Sequence, residues 1–285
     1  MIRVYFRSFG GTVGMIIVLA LAGCAVLAPV LAQQNPYDLA QLDIMSSLLP
    51  PGTVGDDGTV FWFGTDDQGR DLVSAVLYGL RVSLFVAVTA TSIALVIGVI
   101  AGLTAAYLGG VFDTLLMRLV DLQLAFPSVL IALVLVALLG SGLEKVIIAI
   151  VAAQWAYFAR TLRSAAMVER RKEYIQAAWT LRFPAWRIML LHLLPNAIAP
   201  LGVIVIVEIA SAIALEATLS FLGVGLSVTR PSLGLLIANG YQYMLARQYW
   251  LSGTPGVVLL VLLVGVNLVG ERLRQMNDPR QQVRP

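Results

Sequence analysis

The sequence predicts an all-α protein, a polytopic membrane bundle of six transmembrane helices with one long basic loop between two of them. Three observations point there. Hydrophobic residues fill 59% of the 285 positions and charged residues only 12%, about half the charged share of an ordinary soluble domain. Long stretches carry no charge at all. The remaining charges are sorted by sign between the ends of those stretches. A globular core cannot hide this much apolar surface under so little polar cover, whereas a bilayer is itself the apolar solvent. One bundle rather than two domains is expected at this length. The single Cys24 and single His192 exclude an intramolecular disulfide and leave no metal cluster of Cys or His residues.

The first charge-free run is Ser8 to Tyr37. Within it Leu21-Ala22-Gly23-Cys24 resembles a bacterial lipoprotein signal, and Val30-Leu31-Ala32 a signal-peptidase site. The apolar stretch continues through Cys24 to Ala32, long enough to cross, so it reads as a first span with Cys24 a buried thiol. Val82 to Phe112 and Leu122 to Leu143 are also free of charge, and each exceeds the roughly 20 residues a helix needs to cross. A fourth span is expected from about Leu143 to Leu162, with Arg160 snorkelling to the interface. A fifth runs from about Leu193 to Leu215 and a sixth from about Gly253 to Val269. The expected organisation is residues 1–32 as tail and first helix, 33–82 as a periplasmic segment, 83–272 as a five-helix core whose loop spans 166–194, and 273–285 as a tail.

Basic residues assign the sides. The loop between spans four and five, with the span end before it, holds Arg160, Arg163, Arg170, Arg171, Lys172, Arg182 and Arg187 against Glu169 and Glu173. Arg3 and Arg7 at one end, and Arg272, Arg274, Arg280 and Arg284 at the other, fall on the same side in a six-span chain, so that side is cytoplasmic. Residues 33–81 carry seven aspartates against Arg70 and Arg81 and fall opposite. There Pro50-Pro51-Gly52 and Asp56-Asp57-Gly58 are turn chemistry, and Asp71 to Ser83 predicts a short amphipathic helix leading into span two. Residues 223–253, punctuated by Gly225, Pro231, Gly234 and Gly240, predict a re-entrant or surface-lying segment over the outer mouth.

The most informative stretch is Glu173-Tyr174-Ile175-Gln176-Ala177-Ala178-Trp179-Thr180-Leu181-Arg182, then Phe183-Pro184-Ala185-Trp186-Arg187, closing at His192-Leu193-Leu194-Pro195-Asn196. It reads as helix, turn, helix. Ala177 and Ala178 let another surface approach closely, and Tyr174, Trp179 and Trp186 could fill a partner's groove. Pro184 suits the start of the second helix, and Pro195 marks entry into span five. An amphipathic loop resting on anionic lipid fits the composition equally well.

This stretch resembles the EAA loop of ABC importer permeases, whose short coupling helix docks in a cleft of a cytoplasmic ATPase. Gln176 stands where that family has its glutamate, with Glu173 one turn earlier. Ala177, Ala178 and Pro195 match, and Arg182 replaces a glycine. A side chain at positive φ costs on the order of 1 kcal/mol, so Pro184 is expected to set the bend instead. Further blocks, in order, resemble the C-type subunit of the dipeptide, oligopeptide and nickel importers. They are Phe63-Gly64-Thr65-Asp66-Asp67-Gln68-Gly69-Arg70-Asp71, Tyr78-Gly79-Leu80-Arg81-Val82-Ser83-Leu84, Asp121 with Ala125-Phe126-Pro127, Ser220-Phe221-Leu222-Gly223-Val224-Gly225, and Asn267 to Arg274 with Asp278-Pro279-Arg280. The resemblance covers nearly the whole chain. It implies a non-catalytic transmembrane subunit of a bacterial inner membrane with both termini cytoplasmic. The implied partners are a B-type permease, two ATPase subunits carrying ATP and magnesium, and a periplasmic substrate-binding protein. Consistently, no Gly-x-x-x-x-Gly-Lys-Ser/Thr loop occurs, and no cofactor is expected in this chain.

Intramembrane carboxylates are rare and costly, which makes Glu208 and Glu216 candidates for the substrate pathway. Glu208 would face a cationic group such as a peptide ammonium or a metal ion, or else either acid serves an interhelical bond. Asp113, Arg118 and Asp121 read as packing and ion pairs. Asp66, Asp67, Arg70 and Asp71 are candidates for binding-protein contact, or for capping of the outer segment. Rival readings are a proton-coupled secondary transporter relaying through Glu208 and Glu216, a non-transporting scaffold, and a nickel-type rather than peptide-type importer.

Overall fold

A computed structural model describes residues 8–38, 42–55, 58–226 and 230–277. Arg3, Arg7, Asp56, Asp57, Asp278-Pro279-Arg280 and Arg284 lie outside the described residues. Helix α1 (Phe9–Val26) is capped by the Ser8 hydroxyl, which accepts from the Gly11 amide. A short turn of helix, Ala28–Leu31, continues it. Cys24 is half-buried among core neighbours rather than fully enclosed. Strands β1 (Thr53–Val54) and β2 (Val60–Phe61) then pair as a small antiparallel hairpin.

Helix α2 (Leu72–Leu108) has 37 residues, or about 55 Å at 1.5 Å per residue, far more than the roughly 30 Å hydrocarbon core. The separate helix expected over Asp71–Ser83 is therefore the projecting start of α2, and the boundary expected after residue 82 falls inside one continuous helix. Nothing in the sequence breaks it there, because Gly79 packs against the Leu233 amide instead of opening a turn.

The expected straight third span is broken. Helices α3 (Gly110–Leu124) and α4 (Ser128–Leu139) meet at a 90° bend. Pro127 lacks an amide hydrogen and drives Phe126 out of helical geometry. Alone, the 12 residues of α4 reach only about 18 Å. Among the described residues five helices are long and apolar enough to cross, and the count is six when the bent pair is one span.

Helix α5 (Leu143–Arg170) leads to α6 (Glu173–Thr180). A helical turn, Ala185–Arg187, a π-helical stretch, Ile188–Leu193, and a turn, Leu194–Ala197, follow. The fifth span begins at Leu201, not near Leu193: α7 is Leu201–Phe221. Pro195 and Pro200 each interrupt the amide ladder before it. Helix α8 (Leu233–Tyr241) is buried along Leu233, Leu235 and Leu236 and fills the predicted outer segment. Helix α9 (Trp250–Asn277) closes the bundle, extending at both ends beyond the expected sixth span.

The most extensive helix contact is between α2 and α5. Ala90, Ala94, Gly98, Gly102 and Ala106 recur every four residues along one buried face of α2, opposite Ala149, Ala153, Ala156, Ala159 and Ala166 of α5. Such small-residue seams let helix backbones approach in a membrane. A β-carbon at Gly98 would fall within 2.6 Å of the Trp155 carbonyl oxygen and closer still to the Phe158 β-carbon; one at Gly102 would strike the Ala159 carbonyl. Gly14 on α1 packs likewise against Leu268 and Gly265 of α9.

Gly98→Val is expected to destabilise the bundle by about 1–3 kcal/mol through overpacking, lowering the midpoint of detergent-solubilised thermal unfolding. Gly202→Ala, where a β-carbon meets nothing within 4 Å, is the matched control and leaves the midpoint unchanged.

Candidate docking site at the basic end of the bundle

Helix α6 presents two faces. Ile175 and Ala178 are buried with Ile188 and Leu193 in one core. Glu173, Gln176, Ala177 and Thr180 are exposed and share the opposite face by their spacing of three and four. Ala177 and Ala178 thus do different things: Ala177 faces outward, while Ala178 is 3% exposed and faces the chain's own bundle. Glu173 in the first turn also suits the positive end of the helix.

The turn after α6 is formed at Arg182, not at Pro184. Arg182 has φ of 54°. The Phe183 amide donates to the Ala178 carbonyl at 3.1 Å and the Arg182 amide to that of Trp179 at 2.9 Å. This pair is the Schellman termination, whose left-handed position glycine ordinarily fills. Two contacts hold the strained residue in place: Phe183 packs against the core beneath, and the Arg187 guanidinium lies 4.4 Å over the Phe183 ring. Pro184 instead caps the next helical turn.

Helix α6 is seated on the ends of α2 and α5. Arg170 donates to the Ala106 carbonyl at 2.8 Å and stacks its guanidinium 5.1 Å from the Trp179 ring. Tyr107 meets the other side of Trp179 edge-on at 6.5 Å. The Tyr174 hydroxyl donates to Glu169 at 2.5 Å; burial, then that carboxylate, push it up to about 12, so it stays a donor. Lys172 pairs with Glu169 at 2.7 Å. Trp179 and Tyr174 therefore make contacts with the chain's own bundle while staying partly exposed, and Trp186, 61% exposed, is the most outward of the three. Pro195 lies exposed in the turn before α7. Alongside, Arg163 forks onto Asp113 at 2.5 Å through two nitrogens, and Arg160 pairs with Asp121, tying α3 to α5.

The two membrane acids have unlike surroundings. Glu216 is fully buried and accepts from the Ser83 and Ser220 hydroxyls, each at 2.7 Å. Ser83 also accepts from the Leu233 amide at 3.4 Å, so the carboxylate knots α2, α7 and α8. Glu208 is 7% exposed, and its carboxylate has no hydrogen-bond or ion-pair partner among the described residues. Beside it Gln154 donates to the Glu208 backbone carbonyl at 2.8 Å and accepts from Thr91 at 3.3 Å. The two acids lie about 12 Å apart along α7. Gln154 carries no sequence signal, and Ser83 and Ser220 stand in family-like blocks that give no sign of this role, because all three are uncharged and common; only their fixed place in an apolar helix distinguishes them.

At the acidic end, Asp66 accepts from Arg70 Nε at 2.6 Å and from the Gln68 and Arg70 amides. Asp71 caps α2, accepting from the Ser74 amide and hydroxyl. Gly64 and Gly69 have positive φ, and a side chain there would strike the Leu49 and Asp43 carbonyls. Asp66, Arg70 and Asp71 are at least 95% buried, given exposures of 5%, 1% and 2%, and serve this fold internally. Asp67 is the half-exposed member; burial, then the Asp66 charge, push its carboxyl up.

The family described as binding-protein-dependent transport system inner membrane component matches residues 94–283. A dipeptide transport system permease protein of Haemophilus influenzae is 35% identical, covering 97% of this chain and 92% of its own length. A di/tripeptide transport system permease protein of Pseudomonas aeruginosa is 34% identical over 98% of this chain and 92% of its own. A probable D,D-dipeptide transport system permease protein of Escherichia coli K12 is 36% identical over 94% and 87%. Among solved structures, an inward-facing MetNI methionine ABC transporter aligns with a TM-score of 0.55 at 19% identity, covering 72% of this chain and 97% of that one, which shows a shared fold.

Arg182→Gly is expected to relieve the left-handed strain, about 1 kcal/mol, slowing amide hydrogen exchange over residues 173–183. Arg182→Val, β-branched at that φ, has the opposite effect.

Proposed function

The chain belongs to the family of binding-protein-dependent transport system inner membrane components, and from that premise we propose that it is half of the translocation pathway of an ATP-driven peptide importer. A B-type permease supplies the other half. Two cytoplasmic ATPases hold the ATP and magnesium, and a periplasmic binding protein delivers the cargo. This chain carries no catalytic group of its own. The basic end of the bundle is cytoplasmic, as are both termini. The names of the similar permeases support a peptide cargo.

The observation that carries the reading is the outward face of α6 on a rigid seat. Glu173, Gln176 and Ala177 meet the ATPase cleft, with Arg182 and Pro195 shaping the connection back to the bundle. ATPase closure pushes on α6, and Trp179, wedged between Arg170 and Tyr107, passes the push to α5 and α2. A docked helix with a packed underside transmits rigid-body motion, as alternating access requires. Ala178 contributes from below by letting α6 sit close.

Glu208 is the pathway acid in this reading, meeting the ammonium of a peptide. Glu216 fastens α8 over the outer end, since its oxygens are already engaged by serines. Asp67 offers the binding protein a contact, while Asp66, Arg70 and Asp71 hold the shape of that surface.

Ala177→Asp should leave the protein inserted and thermally stable but lower ATPase co-purification and ATP-dependent uptake at least tenfold, about 1.4 kcal/mol. Ala178→Asp should instead lower the folded yield, because it buries a charge. Wild-type ATPase recruitment by the Ala177 variant overturns the docking face. Glu208→Gln should reduce uptake of peptides with a free amino terminus more than of N-acetylated ones, with assembly intact, in vesicles holding ATP and no proton gradient. Equal loss for both, or none, assigns Glu208 to packing.

A further inference from the structure

Arg81 takes no part in the docking face. It is the last charge before the run Val82–Phe112, so it marks the level at which α2 passes from headgroups into hydrocarbon. The ion pairs among the described residues are Arg70–Asp66, Arg160–Asp121, Arg163–Asp113 and Lys172–Glu169, and Arg81 belongs to none. Its side chain is exposed, and a guanidinium at the edge of the hydrocarbon is stabilised by an anion beside it. Its side chain is also the one charged member of the lining of a cavity of about 550 Å³.

That cavity lies between α1, α2, α7 and α9, with Leu84, Val88, Val18, Ile206 and Val266 among its walls. Leu84 and Val88 are one and two turns below Arg81 on the same face of α2. The space therefore runs from the guanidinium down into the bilayer between walls that are apolar apart from Thr89. Water gains too few partners against such walls, and an empty space forfeits the contacts of its lining. Its occupant must be apolar within the bilayer and anionic at the level of Arg81.

We propose that this cavity is a binding site for an anionic phospholipid, with one acyl chain between α1 and α2 and the headgroup phosphate on Arg81. A phospholipid joins both required chemistries in one molecule, and basic residues beside interhelical pockets are where lipid headgroups are held. The bound chain completes the packing of α1, which is otherwise held mainly by α9. The site is separate from the α6 face, so it stands whether or not that face docks an ATPase.

The test uses the assembled transporter in nanodiscs containing phosphatidylglycerol or phosphatidylcholine, each with a photoactivatable acyl chain, and maps labelled peptides by mass spectrometry. In the wild type, phosphatidylglycerol is expected to label the α1 and α2 peptides lining the cavity about fivefold more than phosphatidylcholine does. Arg81→Gln should abolish that preference and Arg81→Lys retain most of it, which separates charge recognition from misfolding. Val88→Trp, filling the space, should suppress labelling by both lipids there while labelling of the exposed face of α4 persists. Equal wild-type labelling by the two lipids, or an unchanged preference in Arg81→Gln, overturns the proposal. So does cross-linking of the cavity walls to the partner permease in place of lipid.

Discussion

Within hydrocarbon, two helices gain nothing by hiding apolar surface from water; they hold together by contact. Helices α2 and α5 obtain that contact where Gly98 and Gly102 admit the backbone of Trp155 and Ala159. The rest of the basic end is laid on this seam. Ion pairs from Arg160 and Arg163 fasten α3 to it, Gln154 reaches from it to α7, and Arg170 with Tyr107 forms the clamp for Trp179. A wider separation of α2 and α5 would open the clamp and leave α6 without a seat.

The same seam links the two ends of the protein. Helix α2 runs from the Asp71 cap past Ser83, which holds Glu216, to Tyr107 beneath α6. An impulse at α6 therefore meets a continuous helix whose far end carries the packing of α8. In the importer reading, this is how ATPase closure at one face alters access at the other. In the same reading Glu208 lies between, its buried carboxylate proposed to meet a passing cation.

The all-α membrane class was legible because charge-free runs report the bilayer directly: the Ser8–Tyr37 run contains a crossing helix and the Val82–Phe112 run most of one. Runs do not report bends or exact starts. Leu122–Leu143 hid the break at Pro127, whose effect was written in its missing amide rather than in hydropathy. The start of α7 was hidden by Pro195 and Pro200 in an otherwise apolar stretch. The docking loop was legible as a motif, but composition could not tell Ala177 from Ala178, since only the helix phase decides which is covered. Arg182 marks the limit of residue preference: its identity argued against a left-handed turn, and the Schellman bonds with the Phe183 anchor override it. The serine cage of Glu216 assembles residues more than a hundred positions apart, which no local pattern encodes.

The central claim is that the outward face of α6 meets the ATPase while its inner face meets the bundle. The most direct measurement is disulfide trapping in the assembled transporter, in a chain whose own Cys24 is replaced by alanine. Single cysteines placed at 176, 177 and 178 are paired in turn with cysteines introduced around the ATPase cleft. The account predicts rapid cross-linking from 176 and 177, changing in rate when ATP is added, and little from 178. Cross-linking from 178 as fast as from 177, or none from 176 and 177, would contradict it.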